Sequence, residues 1–224
     1  MAHAFFLGVD IADDHADEPG AVTLAVVEKE RTDGAATFRL NRMSHQAGAP
    51  EADDLADRIQ SLVAESPYIG RTTIVVNRQA GEGAALVDEL EDRGLAPVQV
   101  TMTDGRGATA GDPDEGGVRV AAHDAVDTLA TLYRDGRIDF PGAVSEDASR
   151  LARGIQRFVE LTDNEGSIDA APASDEGYPQ RQEAFDPHVT SAALAVWLGT
   201  ERSFDPSQHL KEDPQTKSST FDTP

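Results

Sequence analysis

The chain opens with a nearly continuous apolar run, AFFLGVDIA, at residues 4–12 of 224. A strand with one face in water alternates apolar and polar residues, whereas a strand covered on both faces stays apolar along its length. We therefore expect a central strand, buried on both faces, in a sheet flanked by helices. Its one charged residue, Asp10, lies near the end of the run, where packing gives no reason for a carboxylate.

Hydrophobic periodicity and turn signals predict five strands and two helices in the order β-β-β-α-β-α-β. Strands are expected where apolar and β-branched residues dominate between turn signals, and helices where apolar residues recur every three to four positions. The predicted strands are 4–12, 21–31, 36–45, 72–77 and 96–105, and the predicted helices are 51–65 and 81–94.

Helices are expected in the second half of the chain, after a Gly- and Asp-rich loop at 104–117. They are predicted at 118–136, at 145–162 with Ser145 as its N-cap, and from His188 to Trp197, with a polar linker at 163–184. This order predicts an α/β, ribonuclease H-like fold with a mixed five-stranded sheet flanked by helices. We expect one domain, residues 1–201, and a polar, flexible C-terminal tail, residues 202–224.

The composition is strongly acidic, with 41 Asp and Glu against 19 Lys and Arg and a formal net charge of -22. Such acidity in a chain with clear strand and helix periodicity is typical of proteins that live in strong salt, so a halophilic source is expected. An ordinary acidic cytosolic protein is the alternative. The chain has no cysteine, no signal-peptide pattern and no long apolar span, so we expect a soluble, cytoplasmic protein.

Four segments, in this order, resemble those of one protein family: GVDIAD, TTIVVNRQAGEGAALVDEL, DTLATLYRDGRIDFP and FDPHVTSAALAVW. The chain resembles the nuclease domain of viral terminase large subunits, the motors that package and cut viral DNA, from about residue 4 to residue 201. The halophilic composition adds the expectation that the source is a halophilic archaeon or its virus.

The resemblance implies a metal site built from residues far apart in sequence. Asp10, Asn77 and Asp186 match the three family positions whose carboxylates converge at one end of the sheet and hold Mg²⁺ or Mn²⁺ for phosphodiester hydrolysis. These three residues are the expected catalytic and metal-binding set, and Glu82 and His188 are further candidate ligands. The implied activity is that of a divalent-metal-dependent endodeoxyribonuclease.

Two positions depart from the family pattern. Asn77 stands where the family has an acid, with Glu82 as the nearest carboxylate that can substitute, and Pro187 stands where the second of two paired acids would follow Asp186. An amide oxygen can coordinate a cation but brings no charge. Metal binding should therefore be weakened, most of all for a second ion.

Each candidate also has a structural interpretation. Asp10 can cap a turn at a strand end, Asn77 can be a turn residue, and Asp186 can be the N-cap of the last helix. Glu82 can be a first-turn helix acid, and His188 a partly buried polar residue without a ligand role.

The implied partner is double-stranded DNA, together with a separate packaging ATPase and a portal. The phosphate-binding pattern Gly-x-x-x-x-Gly-Lys-Ser/Thr is absent from the sequence, so translocation is expected to need another polypeptide. A local basic patch for DNA is one interpretation of the scattered cations, and pairing with surface acids is the other. The cations are Arg39, Arg42 and His45 on the third strand and Arg150, Arg153 and Arg157 on one helical stripe.

Three functions remain open from the sequence. The first is a metal-dependent endonuclease, and the second is a catalytically degenerate relative that serves as a binding or assembly component. The third is a nucleotide-binding relative of actin and the sugar kinases, whose first strand also ends in Asp. The third class shows Gly and Thr soon after that Asp, whereas this chain has DIADDHADEPG.

Overall fold

The computed structural model describes residues 4–12, 20–32, 35–48, 50–78, 81–103, 109–110, 117–140, 146–165 and 185–202. Within these residues the chain has eight strands and five helices. The strands are β1 Ala4–Ala12, β2 Ala21–Thr32, β3 Ala35–Ala47, β4 Thr72–Asn77, β5 Val98–Thr103, β6 Thr109–Ala110, β7 Val118–Ala121 and β8 Ile138–Asp139. The helices are α1 Ala52–Ala64, α2 Gly81–Asp92, α3 Ala122–Arg134, α4 Glu146–Glu165 and α5 Pro187–Glu201.

All eight strands belong to one mixed sheet, in the order β6-β7-β5-β4-β1-β2-β3-β8. The first three strands form an antiparallel meander, while β4 pairs parallel with β1 and β5 pairs parallel with β4. The five longest strands therefore have the order 3-2-1-4-5 of a ribonuclease H-like sheet, which confirms the predicted fold class. The short strands β6, β7 and β8, which the sequence did not reveal, extend the sheet at its two edges.

Strand β1 is the central strand expected from its apolar sequence. Its odd-numbered residues, such as Phe5 and Leu7, pack in the core beneath α1 and α2, and Phe6 packs in the opposite core beneath α3, α4 and α5. Because successive side chains of a strand point to opposite faces, both faces of β1 are covered. Each fully buried large apolar side chain contributes roughly 1.5–3 kcal/mol to folding.

Helix α5 packs unusually close to β1. A Cβ atom added at Gly8 would lie 1.9 Å from the backbone oxygen of Ser191, so no other residue type fits at that position. The small residues at 191–195 permit this close approach of the helix to the sheet. Lys29 of β2 donates hydrogen bonds from Nζ to the backbone oxygens of Gly199 at 2.6 Å and Arg202 at 2.9 Å, which hold the C-terminal end of this helix.

The prediction for residues 118–121 is wrong. They were expected to begin a helix, but they form β7, which pairs parallel with β5 through Val118 and Val120. The β-branched side chains alternate with Arg119, a pattern that suits a half-buried strand better than the first turn of a helix. The helix itself starts at Ala122.

Several predictions fall outside the described residues. These are the N-cap Ser145, the acidic turn at 13–19 that bears on the nucleotide-binding alternative, most of the loops at 104–117 and 163–184, and the tail from residue 203. Residues 163–165, predicted as linker, belong instead to the last turn of α4. Across the described part of the chain, no helix combines the length and the apolar character needed to cross a membrane.

Candidate metal-binding site

Four polar residues form a row across four neighbouring strands. Asp10 of β1 is in register with Thr23 of β2, which is in register with His45 of β3, and Val9 is in register with Val76, so that Asn77 is next to Asp10. Residues in register on adjacent strands point to the same face, which is here the face covered by α5. Hydrogen bonds join the row in two pairs, Asn77 with Asp10 and Thr23 with His45.

The Asp10 carboxylate is buried, with 7% of the residue exposed, and Oδ1 accepts a 2.9 Å hydrogen bond from Nδ2 of Asn77. Burial, opposed by the Asn77 hydrogen bond and assisted by the negative charge of Asp186, raises the pKa of Asp10 from 3.8 to about 6. The carboxylates of Asp10 and Asp186 are therefore close enough to repel each other. The structure brings the three principal candidates, Asp10, Asn77 and Asp186, to one end of the sheet.

Asp186 is the N-cap of α5, as one interpretation of the sequence predicted. Its Oδ1 accepts a 2.8 Å hydrogen bond from the backbone N–H of His188, and Pro187 occupies the first turn, where its missing N–H costs nothing. Burial acts to raise the pKa of Asp186. The hydrogen bonds from His188 and the positive charges of His188 and Arg150 outweigh burial, so the pKa is lowered. Asp186 is thus an anion with two cationic neighbours, His188 and Arg150.

His188 connects two carboxylates. It is only 1% exposed, its Nδ1 hydrogen-bonds to Oδ1 of Asp186, and its Nε2 lies 3.2 Å from Oδ1 of Asp147 in the first turn of α4. Burial acts to lower the pKa of His188, but the two carboxylates overcome it and raise the pKa, which favours the imidazolium. Because both ring nitrogens are engaged, coordination of a metal by His188 would require the loss of one hydrogen bond.

The His188 ring stacks on His45, with ring centroids 4.7 Å apart and an interplanar angle of 28°. Burial, followed by the positive charge of His188, lowers the pKa of His45, which favours its neutral form. A neutral imidazole beside an imidazolium avoids the repulsion that two charged rings would have. The stack attaches the start of α5 to the end of the polar row.

Glu82 lies in the first turn of α2, and its side chain is exposed. This helix starts against the end of β4, since a Cβ atom at Gly83 would lie 2.4 Å from the backbone oxygen of Asn77. Among the described residues, the hydrogen bonds that organise the site join Asp10 to Asn77 and Asp186 to His188, and Glu82 is in neither pair. Its role as a ligand stays a prediction.

The donor atoms suit a hard cation. Asp10 and Asp186 supply carboxylate oxygens and Asn77 an amide group, and Mg²⁺ or Mn²⁺ is often bound by one or two carboxylates plus water and substrate phosphate. Over the described ranges, no group of three or more His, Cys, Asp or Glu side chains is arranged to hold a metal ion. Two carboxylates and an amide group suit one divalent ion that keeps most of its water ligands, and the described residues provide no comparable set for a second ion.

Thr23 and Asp147 were not predicted as members of this site, and His45 was predicted only as part of a basic patch. Thr23 and His45 lie inside strands, and only the register of β1, β2 and β3 places them in a row with Asp10. Asp147 lies in the first turn of α4, where an acid is common in any helix. No single-sequence signal distinguishes an acid that faces solvent from one that faces a neighbouring helix.

The predicted basic patch is divided between the two faces of the sheet. His45 lies on the α5 face, whereas Arg39 and Arg42 point to the opposite face, since Arg42 is in register with Val26 of the α1 and α2 core. Among the described residues, three of the six cations form ion pairs, as the alternative interpretation predicted. The pairs are Arg39 with Asp139 at 3.6 Å, Arg150 with Glu146 at 3.3 Å and Arg157 with Glu160 at 2.7 Å.

Two solved structures of the human cytomegalovirus terminase nuclease domain resemble this chain. One, soaked with manganese and bound to an inhibitor, is 14% identical, with 87% of this chain and 82% of that chain covered and a TM-score of 0.49. The other is 13% identical, with 88% of this chain and 84% of that chain covered and a TM-score of 0.48. No protein-family model and no curated protein matches the chain. At these identities and TM-scores the likeness assigns no function to this chain.

Proposed function

We propose that this protein is a divalent-metal-dependent endonuclease that cuts double-stranded DNA. The observation that carries the proposal is the buried Asp10 carboxylate at the end of the central strand, hydrogen-bonded to Asn77 and electrostatically coupled to Asp186. A buried acid with a strongly raised pKa is costly for stability, and such groups are concentrated at functional sites. The ribonuclease H-like strand order, 3-2-1-4-5, brings these residues to one end of the sheet.

The roles of the residues follow from their contacts. Asp10 and Asp186 supply the two anionic oxygens that would hold the ion, and Asn77 orients Asp10 through its amide N–H. The bound ion, Mg²⁺ or Mn²⁺, would polarise the phosphodiester and lower the pKa of a bound water. Arg150, whose charge acts on Asp186, would offer its guanidinium group to a DNA phosphate. Hydrolysis adds water across one P–O bond and leaves a phosphate and a hydroxyl end.

The biological setting is a finer part of the same proposal. The four sequence segments that resemble terminase large subunits support cutting of viral DNA during packaging, with a separate packaging ATPase and a portal as partners in the cytoplasm. The net charge of -22 supports a halophilic archaeon or its virus as the source. At molar salt the Debye length is about 3 Å, so the surface acids would repel DNA phosphates only at short range.

A second candidate function is a catalytically degenerate binding or assembly component. The observation that favours it is the replacement of two family acids by Asn77 and Pro187, which leaves two carboxylates, Asp10 and Asp186, at the site. With fewer anionic ligands the protein could keep the fold and a DNA-binding surface without cutting. The same experiment separates the two functions.

The test is cleavage of supercoiled plasmid by purified protein in molar KCl with Mn²⁺, the ion soaked into the human cytomegalovirus domain. The parent protein should nick or linearise the plasmid, and Asp10→Ala should abolish this activity. Asp88→Ala, which removes an exposed acid of α2, is the matched control and should cut like the parent. Equal cleavage by the parent and Asp10→Ala would indicate a contaminant. No cleavage by any variant would favour the degenerate component.

A further inference from the structure

The first turn of α4 contacts the start of α5 through charged side chains. Asp147 reaches Nε2 of His188 from α4, and Arg150, three residues further on the same helix, acts on Asp186 through its positive charge. Residues three apart lie on the same side of a helix, so Asp147 and Arg150 both face the site. From the sequence, Arg150 was predicted only as part of a basic patch, and Asp147 was not a candidate.

The hydrogen bonds of Asp186 have a specific arrangement. In the described part of the chain, its side chain accepts bonds from the backbone N–H and from Nδ1 of His188, and both bonds end on Oδ1. The second oxygen, Oδ2, is then the one left to face a cation. The direction of Oδ2 depends on the orientation of the His188 ring, because that ring holds the other end of the carboxylate.

The His188 ring is in turn held from two sides. Its Nε2 lies 3.2 Å from Oδ1 of Asp147, and its face stacks on His45 at a centroid distance of 4.7 Å. Stacking limits rotation of the ring about its Cβ–Cγ bond. The contact with Asp147 holds the far end of the ring at Nε2, so the carboxylate on α4 is a second restraint on the orientation of the ring.

We propose that Asp147 is a positioning residue: through His188 it fixes the orientation of the Asp186 carboxylate toward a divalent cation, an inference that rests on the proposed function. Partners that orient a ligand in this way commonly change metal affinity by about 10- to 100-fold when they are removed. Asp147 itself touches neither the ion nor the DNA. Its part is to link α4 to the N-cap of α5.

A purely structural role for Asp147 makes a different prediction. If it only neutralises a buried imidazolium, its removal should lower overall stability and leave the local geometry at Asp186 unchanged. The two roles are separated by a local probe in the metal-free protein. The backbone N–H of His188 donates to Oδ1 of Asp186, so its hydrogen exchange reports directly on how firmly that carboxylate is held.

The experiment compares Asp147→Ala and Asp147→Asn with Glu146→Ala, using the full chain in molar KCl. Glu146 is the neighbouring acid on α4, with its side chain 79% exposed and paired with Arg150, so Glu146→Ala removes the same charge without touching His188. We measure exchange of the His188 amide relative to global unfolding in the metal-free protein, and then the Mn²⁺ dissociation constant by calorimetry.

Asp147→Ala should accelerate exchange of the His188 amide by about tenfold and raise the Mn²⁺ dissociation constant by about tenfold or more, whereas Glu146→Ala should change each by less than about twofold. Asp147→Asn, which keeps an oxygen acceptor, should restore part of both effects. Unchanged exchange in both Asp147 variants would overturn the inference. Accelerated exchange in these variants, together with a parent protein that binds no Mn²⁺, would support the positioning and overturn the proposed function.

Discussion

The side-chain amide of Asn77 donates a 2.9 Å hydrogen bond to the buried carboxylate of Asp10, across two parallel strands at the centre of the sheet. The bond favours the charged form of Asp10 and so opposes the effect of burial on its pKa. An acid at residue 77 would instead place two carboxylates side by side in the interior. The amide of Asn77 therefore makes the metal-free protein more stable than an acid at this position would. In exchange, the site has one negative charge fewer with which to bind a cation.

Replacing Asn77 with Asp should lower the stability of the metal-free protein and raise its affinity for a cation. Without metal, Asn77→Asp should lose about 3 kcal/mol of the free energy of unfolding at pH 8, because an unpaired buried charge is added beside Asp10. Its affinity for Mn²⁺ should rise, because the site gains an anionic ligand. Denaturant unfolding with and without Mn²⁺ measures both effects, since a ligand that binds only the folded state adds stability.

Asn77→Ala is the control for Asn77→Asp. It also removes the hydrogen bond but adds no charge, so Mn²⁺ should stabilise it less than it stabilises Asn77→Asp. If Mn²⁺ stabilises the two variants equally, residue 77 does not face the ion, and its assignment to the site is wrong.

Stability should depend on pH through Asp10. Its folded-state pKa of about 6 lies above the ordinary value of 3.8, so the stability it confers is present below about pH 4 and is lost as the pH rises through 6. The amide in Asp10→Asn does not ionise, so this variant does not lose that stability as the pH rises. The variant should therefore be more stable than the metal-free parent by up to about 3 kcal/mol at pH 8, with the difference vanishing toward pH 4.

Urea unfolding of both proteins from pH 4 to pH 8 in molar KCl measures this difference. Asp88→Asn, an exposed position on α2, controls for the loss of one surface charge and should show no such trend. If Asp10→Asn is less stable than the parent at pH 8, then the folded protein stabilises the charged form of Asp10, and the prediction is wrong.

The sequence determined most of this fold because its signals are local. The apolar run 4–12 identified the central strand, and Asp186 before Pro187 identified a helix start, which the N-cap hydrogen bond confirms. Contacts between distant residues were harder to predict. The row from Asn77 to His45 depends on the register of four strands, and the contact between Asp147 and His188 depends on how two helices cross. The prediction of a helix at residues 118–121 was wrong because a short strand there is followed directly by a helix.

The contact between Gly8 and Ser191 predicts a large effect of one methyl group. Gly8→Ala would place Cβ 1.9 Å from a backbone oxygen of α5, and a backbone atom cannot rotate away. Helix α5 must therefore move away from β1, with an expected loss of about 3 kcal/mol in the free energy of unfolding. Binding of Mn²⁺ should also become weaker, because Asp186 moves with the helix.

Gly48→Ala is the matched control for Gly8→Ala. A Cβ atom added at Gly48 would meet no heavy atom within 4 Å, and the residue has a φ of 77°. The cost of Gly48→Ala should therefore be limited to backbone strain of about 1–2 kcal/mol, with Mn²⁺ binding unchanged. A smaller loss for Gly8→Ala than for Gly48→Ala in thermal unfolding would contradict the close packing of α5 on β1.

Stability should rise with salt because of the net charge of -22. Between about 0.1 M and 1 M KCl the Debye length falls from about 10 Å to about 3 Å, which weakens repulsion among the surface acids. We expect the thermal midpoint to increase by about 10 °C, equivalent to a few kcal/mol for a chain of this size. Sucrose at equal osmolality is the uncharged control, and an equal increase in sucrose would refute the electrostatic explanation.

Binding of Mn²⁺ in molar KCl, measured by calorimetry, tests most directly whether Asp10 and Asp186 share a cation. The variants are Asp10→Asn and Asp186→Asn, which keep the side-chain shape and, at 186, an N-cap residue. Asp88→Asn, at an exposed position of α2, is the control for the loss of one negative charge. The account predicts one bound ion in the parent and in Asp88→Asn, with affinity lower by about tenfold or more in each aspartate variant. A parent that binds no Mn²⁺, or aspartate variants that bind it as the parent does, would contradict the account.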